Sequence, residues 1–238
     1  MPSVENQLIE RLPRSDRLRL IALCEPAELV LADVLYQPGD TTQHVWFPTD
    51  GFISLITVTE GHPGLEVGMI GREGMLGSNL ALGVAISPLR ALVQGPGMAR
   101  RIGAAAFQAE LARSAPLQRC VNRYLYVLMV QLAAATACLR FHQIGPRLAR
   151  WLLMSQDRAH ADHFHVTHEF LAYMLGVRRV GVTAAAGSLQ RSGLIEYTRG
   201  ALTVLDRAGL EAAACHCYAA DRLSYSQTLA PDRAAPTR

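Results

Sequence analysis

Three groups of residues in this chain have types and spacings that could do chemistry. The tightest is Cys215-His216-Cys217, two thiols and an imidazole within three residues. Thiolate and imidazole are ligands that zinc accepts, but two cysteines one residue apart complete no site without partners elsewhere in the fold. The motif is therefore read as a pair of semi-buried thiols near the end of a helix, with no metal assigned. The second group is His160, His163, His165 and His168. Imidazoles suit zinc, nickel or copper, yet Asp162 is the only acid among them, and the segment reads as a flexible polar linker. The third is the pair Arg178-Arg179, which the pattern described below places at a helix N-terminus. Two guanidiniums sit badly against the positive end of a helix dipole unless an anion such as phosphate is supplied.

Catalytic motifs are missing. The chain has no nucleophile elbow, phosphate loop or paired-carboxylate motif, and no His-x-His lies between residues 30 and 105, where a cupin-type metal enzyme would need one. No catalytic residue is assigned, and an enzyme is not expected. The five cysteines (Cys24, Cys120, Cys138, Cys215 and Cys217) are odd in number and scattered, as expected of free thiols in a reducing cytoplasm. Of 238 residues, 50% are hydrophobic and 18% charged, enough for a packed core of one large or two ordinary domains. Net charge is +3, and all 23 basic residues are Arg, so every cationic contact must come from a planar guanidinium fork. The first twenty residues hold Glu5, Glu10, Asp16 and four Arg without an apolar leader. The longest nearly apolar run, Val127 to Leu139, is 13 residues and includes Gln131, which is short for a bilayer. A cytoplasmic protein without membrane contact is expected.

The elements that must position these groups change character along the chain. Residues 1 to about 30 read as short amphipathic helices broken by Pro13 and closed by Pro26. From Leu29 to about Ile102, short apolar runs alternate with glycine and proline turns: Val34–Tyr36, His44–Phe47, Phe52–Val58, Leu65–Ile70 and Leu89–Val93. Twelve of the nineteen glycines fall between Gly39 and Gly103, as the sharp turns of a small jelly roll require. After Pro116, Val121, Leu125, Leu128, Leu132, Ala135 and Leu139 recur at spacings of 4, 3, 4, 3 and 4. That alternation is an a/d seam, and it predicts a helix running to about Gly145-Pro146 that pairs with a second copy of itself.

The C-terminal third reads as a helix over Arg147–Arg158, a polar loop, a short helix capped by Thr167 and ended by Gly176, and a second helix from Arg178 to Arg191 ended by Gly193. Two short alternating strands follow, joined at Arg199-Gly200. A short helix, a glycine turn, a longer helix with an Ala-rich inner face and a hairpin make a winged helix-turn-helix.

With these motifs on the page, the sequence resembles the Crp/Fnr family of bacterial transcription regulators over roughly residues 10–218. The resemblance rests on Val34-Leu35-Tyr36-Gln37-Pro38-Gly39-Asp40, on the later turn Gly71-Arg72-Glu73-Gly74-Met75-Leu76-Gly77, and on Thr167 through Leu189 with Gly193-Leu194-Ile195 and Arg199-Gly200. It implies an α+β chain. An N-terminal cyclic-nucleotide-binding-like β-roll with its leading helices spans 1–115, a dimerisation helix 116–145, a winged helix-turn-helix 146–218 and a flexible tail 219–238. It further implies a homodimer on a palindromic operator, with double-stranded DNA, RNA polymerase and a small-molecule effector as partners.

Departures from the family's pattern bear on the effector. The ribose-binding glutamate expected after Gly77 is Ser78, and Arg90 stands one residue out of register with the phosphate-binding arginine. Lost charge-assisted bonds to ribose and phosphate argue against cyclic AMP. A repurposed ligand pocket would involve Gly74, Leu76, Gly77, Ser78 and Arg90. Cys24 alone cannot hold the iron–sulfur cluster of the oxygen-sensing branch, and His44, His62 and His142, each isolated, do not support haem.

With Val182 on the core face and about 100° per residue, the outer face of the second helix carries Val180, Ala184, Gly187 and Arg191, flanked by Arg179, Thr183, Gln190 and Ser188. Arg179 matches the family's guanine-reading arginine, whereas Val180 and Ala184 replace its other two polar readers and suit thymine methyls. Thr167 and His168 are placed for phosphate, and Arg178, Thr183, Ser188, Arg191 and the wing's Arg199 complete the expected DNA surface. Two alternatives are a constitutive DNA-binding dimer without ligand, and a metal- or redox-responsive regulator using the His160–His168 cluster or Cys215/Cys217.

Overall fold

The apolar runs and glycine turns of the N-terminal half close into two antiparallel sheets in the computed structural model, which describes residues 5–61 and 64–230. His62, one of the histidines weighed for haem, lies outside the described residues. Two short helices, α1 (Gln7–Glu10) and α2 (Arg14–Leu23), precede strands β1 (Glu25–Leu29), β2 (Val34–Tyr36), β3 (His44–Pro48), β4 (Phe52–Thr57), β5 (Leu65–Ile70), β6 (Arg90–Gly95) and β7 (Gly97–Gly103). One sheet has the order β1-β7-β3 and the other β2-β6-β4-β5. The sequence pattern did not mark β1, where Glu25, Pro26 and Glu28 break the alternation of an edge strand.

Strand β4 explains how the roll joins the rest of the molecule. Its residues alternate, so Ile53 and Leu55 enter the roll interior with Trp46, Ile70 and Val93. Phe52 and Ile56 point the other way and share a core with Trp151, Leu152, Leu171, Val182 and Leu189 from the C-terminal helices. The roll and the C-terminal domain thus pack through one continuous apolar cluster.

Helix α3 (Ala104–Arg113) leads into α4 (Ala115–Phe141), whose N-cap Ser114 accepts from Leu117 N at 3.2 Å, with Pro116 in the first turn. Helix α4 ends at Phe141, not near Gly145-Pro146. His142 is extended, and α5 (Ile144–Ala159) starts with Gly145 and Pro146 in its first turn, where proline needs no N–H partner. Part of the predicted seam packs within the chain itself. Val121 and Ala135 are buried against the chain's own core, and Leu125, Leu128, Leu132 and Leu139 are half-buried, because the roll occupies that side. The uncovered apolar stripe is Tyr126, Met129, Ala133, Ala137 and Phe141, with Met129 61% and Phe141 74% exposed. By length and a mean hydropathy of 1.5, α4 is long and apolar enough to cross a membrane, unlike the 13-residue run counted in the sequence. Part of that apolar surface is spent inside the protein by Leu117, Val121, Tyr124 and Val127.

The remaining elements are β8 (His163–His165), α6 (His168–Leu175), α7 (Arg179–Arg191), β9 (Ile195–Thr198), β10 (Ala201–Val204), α8 (Arg207–Ala213) and α9 (Cys217–Thr228). The wing is a three-stranded sheet in the order β8-β10-β9, so His163-Phe164-His165 is an edge strand and not a polar linker. Residues 219–228 of the expected flexible tail belong to α9, which packs on α4 and is tied to α5 by Arg150–Asp221 at 2.5 Å.

Candidate DNA-reading surface and the roll turn

Local chemistry builds the reader. Thr167 caps α6 by accepting from Phe170 N at 3.1 Å, and Glu169 stands in the first turn, where the helix dipole favours an acid. Gly176 ends α6 at φ 61°, a left-handed conformation in which an added Cβ would also meet Leu65 Cδ1 at 2.6 Å. Arg178 is the extended N-cap of α7, and Val182, Ala185, Ala186 and Leu189 are its buried face, as the periodicity predicts.

The outer face is open. Arg178, Arg179, Val180, Thr183, Ala184, Ser188 and Arg191 are all exposed, Val180 at 72%. Arg199 is exposed at the wing tip with φ 52°. Among the described residues, the guanidiniums of Arg178, Arg179, Arg191 and Arg199 form no ion pair. Four unneutralised cations around a face of small residues can accept a polyanion at close range.

His168 has a different role from the phosphate contact expected of it. Its Nδ1 lies 3.0 Å from Thr183 Oγ1, and its ring stacks on Tyr197 with centroids 4.6 Å apart and planes 9° off parallel. The Thr183 hydroxyl also lies 3.1 Å from the Arg179 carbonyl, so it links the His168 ring to the backbone of α7. Burial, then the Arg179 charge, hold the imidazole below its usual pKa. His168 and Thr183 therefore lock α6, α7 and the wing together.

The late roll turn is closed where the reader is open. Gly74, Leu76, Gly77 and Ser78 are buried. A Cβ on Gly74 would lie 2.7 Å from the Tyr124 hydroxyl, Leu76 exchanges backbone bonds with Trp46 at 3.1 and 2.9 Å, and Gly77 turns at φ 91°. Glu73 pairs with Arg158 at 2.8 Å, fixing the turn to the end of α5. Arg90 opens β6 with its Nε buried and unpartnered. The protein's own side chains thus enclose four of the five expected pocket residues. An apolar cleft of about 620 Å3 opens instead between roll and reader, lined by Leu31, Phe52, Leu92, Trp151, Phe164 and Phe170.

The histidines of the 160–168 segment do not converge. His160 caps α5 at φ 48°, His163 and His165 lie exposed on β8, and His168 is locked as described. Among the described residues, the group whose ligand atoms do converge is Cys138, His142, Cys215 and Cys217, all within 4.8 Å of one another. The sequence reading assigned no metal because it lacked partners for Cys215 and Cys217. The missed signal is Cys138-x-x-x-His142, a spacing that places both groups on one side of a helix end.

Residues 146–213 match the model of the Crp-like helix-turn-helix domain family. Over these residues the chain is similar to Crp-like helix-turn-helix domains. Around them, about four fifths of the chain has the fold of solved Crp/Fnr regulators. A CRP/FNR-family transcriptional regulator from Thermus thermophilus is 22% identical, with a TM-score of 0.65 over 80% of this chain and 98% of that one. FixK2 from Bradyrhizobium japonicum is 12% identical, with a TM-score of 0.66 over 81% and 98%. The c-di-GMP-responsive global regulator CLP of Xanthomonas campestris is 17% identical, with a TM-score of 0.65 over 81% and 99%. At these identities the likeness is one of fold. No curated protein matches the chain in sequence. The matched residues include α6 and α7, so α7 stands as the second helix of the helix-turn-helix.

Proposed function

We propose that the protein is a Crp/Fnr-type transcriptional regulator, a homodimer that binds a two-fold symmetric operator with one α7 in the major groove of each half-site and acts on transcription by RNA polymerase. The observation that carries this reading is the outer face of α7, where Arg178 and Arg179 stand exposed and without ion pairs at a helix N-terminus beside Val180 and Ala184. Arg179 donates to guanine, Val180 and Ala184 meet thymine methyls, and Arg178, Thr167, Ser188, Arg191 and Arg199 contact phosphate. The uncovered stripe of α4 from Tyr126 to Phe141 supports the homodimer. Met129→Asp with Ala133→Asp should give monomers by sedimentation, because the pair would place charges in an apolar seam; an unchanged dimer would refute this seam.

The reading itself is tested by selection from random duplexes at one fixed salt concentration. The wild type should enrich a palindrome whose half-sites are centred about 10–10.5 bp apart. Arg179→Ala should lose its preference at one symmetric base pair, a discrimination of about 1–3 kcal/mol. Selection of the same motif with the same sharpness by both proteins removes Arg179 as a base reader. A dimer that binds DNA without any ligand is the second reading, favoured by the enclosed Gly74–Ser78 turn. Operator affinity unchanged by exhaustive dialysis would support it over an effector seated in the roll or in the cleft beside the reader.

A further inference from the structure

The last turn of α4, the break at 142–143 and the turn between α8 and α9 meet at one point. Cys138 and His142 come from the first two, and Cys215 and Cys217 from the third. The three thiols are buried and the imidazole is half-buried. Two pairs define the geometry: Cys138 Sγ lies 3.5 Å from Cys215 Sγ, and Cys217 Sγ lies 3.6 Å from His142 Nδ1. With Zn–S near 2.3 Å and Zn–N near 2.0–2.1 Å, a tetrahedral zinc ion sets its ligand atoms about 3.5–3.8 Å apart. The Cys217–His142 pair falls at the sulfur–nitrogen edge of about 3.6 Å, and the Cys138–Cys215 pair lies about 0.3 Å inside the sulfur–sulfur edge of about 3.8 Å.

We propose that Cys138, His142, Cys215 and Cys217 form a closed Cys3His site for one zinc ion per chain. A disulfide does not account for the cluster, since it would require about 2.0 Å between two sulfurs and would leave the third thiol and the imidazole unused. A multi-iron cluster spreads its thiolate sulfurs wider than the 4.8 Å within which all four ligand atoms lie. Three thiolates and one Zn2+ carry a net charge of −1. Arg147 and Arg150, in the first turns of α5, interact electrostatically with both Cys138 and Cys215; Arg150 is already paired with Asp221, so Arg147 supplies the balancing charge. The ring of His216 meets His142 edge-on, with centroids 4.8 Å apart, and holds the imidazole in place.

The site spans the joint between roll and reader. It fastens the end of α4 to the α8–α9 turn across the 142–143 break, and Arg147, just beyond, donates to the carbonyl of Leu175 at the end of α6. Four protein ligands leave no open position for a substrate, so the ion would hold structure, fixing how the reader is carried on α4.

The test uses the full chain, purified with reductant, stripped by a chelator and titrated with Zn2+ against a chromophoric competitor and, separately, with Co2+. One equivalent of each should bind per chain. The cobalt form should show thiolate-to-metal charge transfer and the d–d bands of a tetrahedral ion. Cys217→Ser and His142→Ala should each weaken zinc at least tenfold, whereas Cys24→Ser and Cys120→Ser should keep the full equivalent. Because the cobalt spectrum is read on the wild type, the result does not depend on any variant folding. It is also independent of whether α7 reads DNA. The proposal fails if the reduced wild-type chain, with five titratable thiols, takes up less than a tenth of an equivalent of zinc. It also fails if the fresh protein shows three thiols and no metal, the mark of a disulfide within the cluster.

Discussion

The late turn of the roll and the start of α7 are built from the same materials, glycine and arginine, and are put to opposite uses. At the roll turn, Gly74 lets Tyr124 close over the backbone, and Arg158 spends its charge on Glu73. At α7, Gly176 turns the chain so that Arg178 and Arg179 emerge into solvent without an ion pair among the described residues. Composition alone does not separate a binding surface from a packed joint. What separates them is whether the fold itself supplies the counter-charge.

Three substitutions sharpen or break this contrast. The largest effect is expected from Arg158→Met, which strands the Glu73 carboxylate in a largely enclosed joint. A stability loss of about 3–5 kcal/mol by denaturant titration is expected, with partial recovery in the double variant carrying Glu73→Gln. A loss under about 1 kcal/mol would mean that the turn is not held by this pair. Thr167→Ala comes next, because it removes the N-cap of α6. Stability should fall by about 0.5–2 kcal/mol, and binding to specific and random duplexes should weaken alike. If only the specific operator is affected, Thr167 reads bases.

The smallest effect concerns Glu66, beside the joint between roll and α5. Burial pushes its carboxyl from the ordinary 4.5 up to about 7. The hydrogen bonds fit the acid form. The Ser54 hydroxyl has one proton for both Glu66 and Gln94, so a protonated Glu66 donating to Ser54 completes the chain. With the folded value raised, the stabilisation is complete below pH 4.5 and is lost as pH rises through about 7. Glu66→Gln keeps the neutral form at every pH. It should raise Tm by about 2–4 °C at pH 8, roughly 1 kcal/mol for a chain of this size, and change it little at pH 5. A pH-independent difference would assign the effect to packing.

Much of the molecule was legible from local pattern. Period-two runs gave β2 to β6 nearly to the residue, and Thr167, Gly176 and the Val182–Leu189 stripe outlined the helix-turn-helix, because capping, turn geometry and helical period act within a few residues. What failed depended on partners distant in sequence. His163-Phe164-His165 is a strand because β10 pairs with it, and His168 is held in place because Thr183 bonds it and Tyr197 stacks on it. Val121 and Ala135, expected in a seam between two copies, are buried within the chain itself.

The sequence by itself determined the order of architectures, the inner face of α7 and the exposure of Arg178 and Arg179, all of which follow from side-chain period and the cost of burying charge. Only the tertiary structure decided which stripe of α4 stays uncovered, that the Gly74–Ser78 turn is enclosed, and that Cys138 and Cys215, 77 residues apart, face each other at 3.5 Å. Those outcomes depend on which surfaces compete successfully for the same apolar contact, a competition between segments that no window along the chain contains.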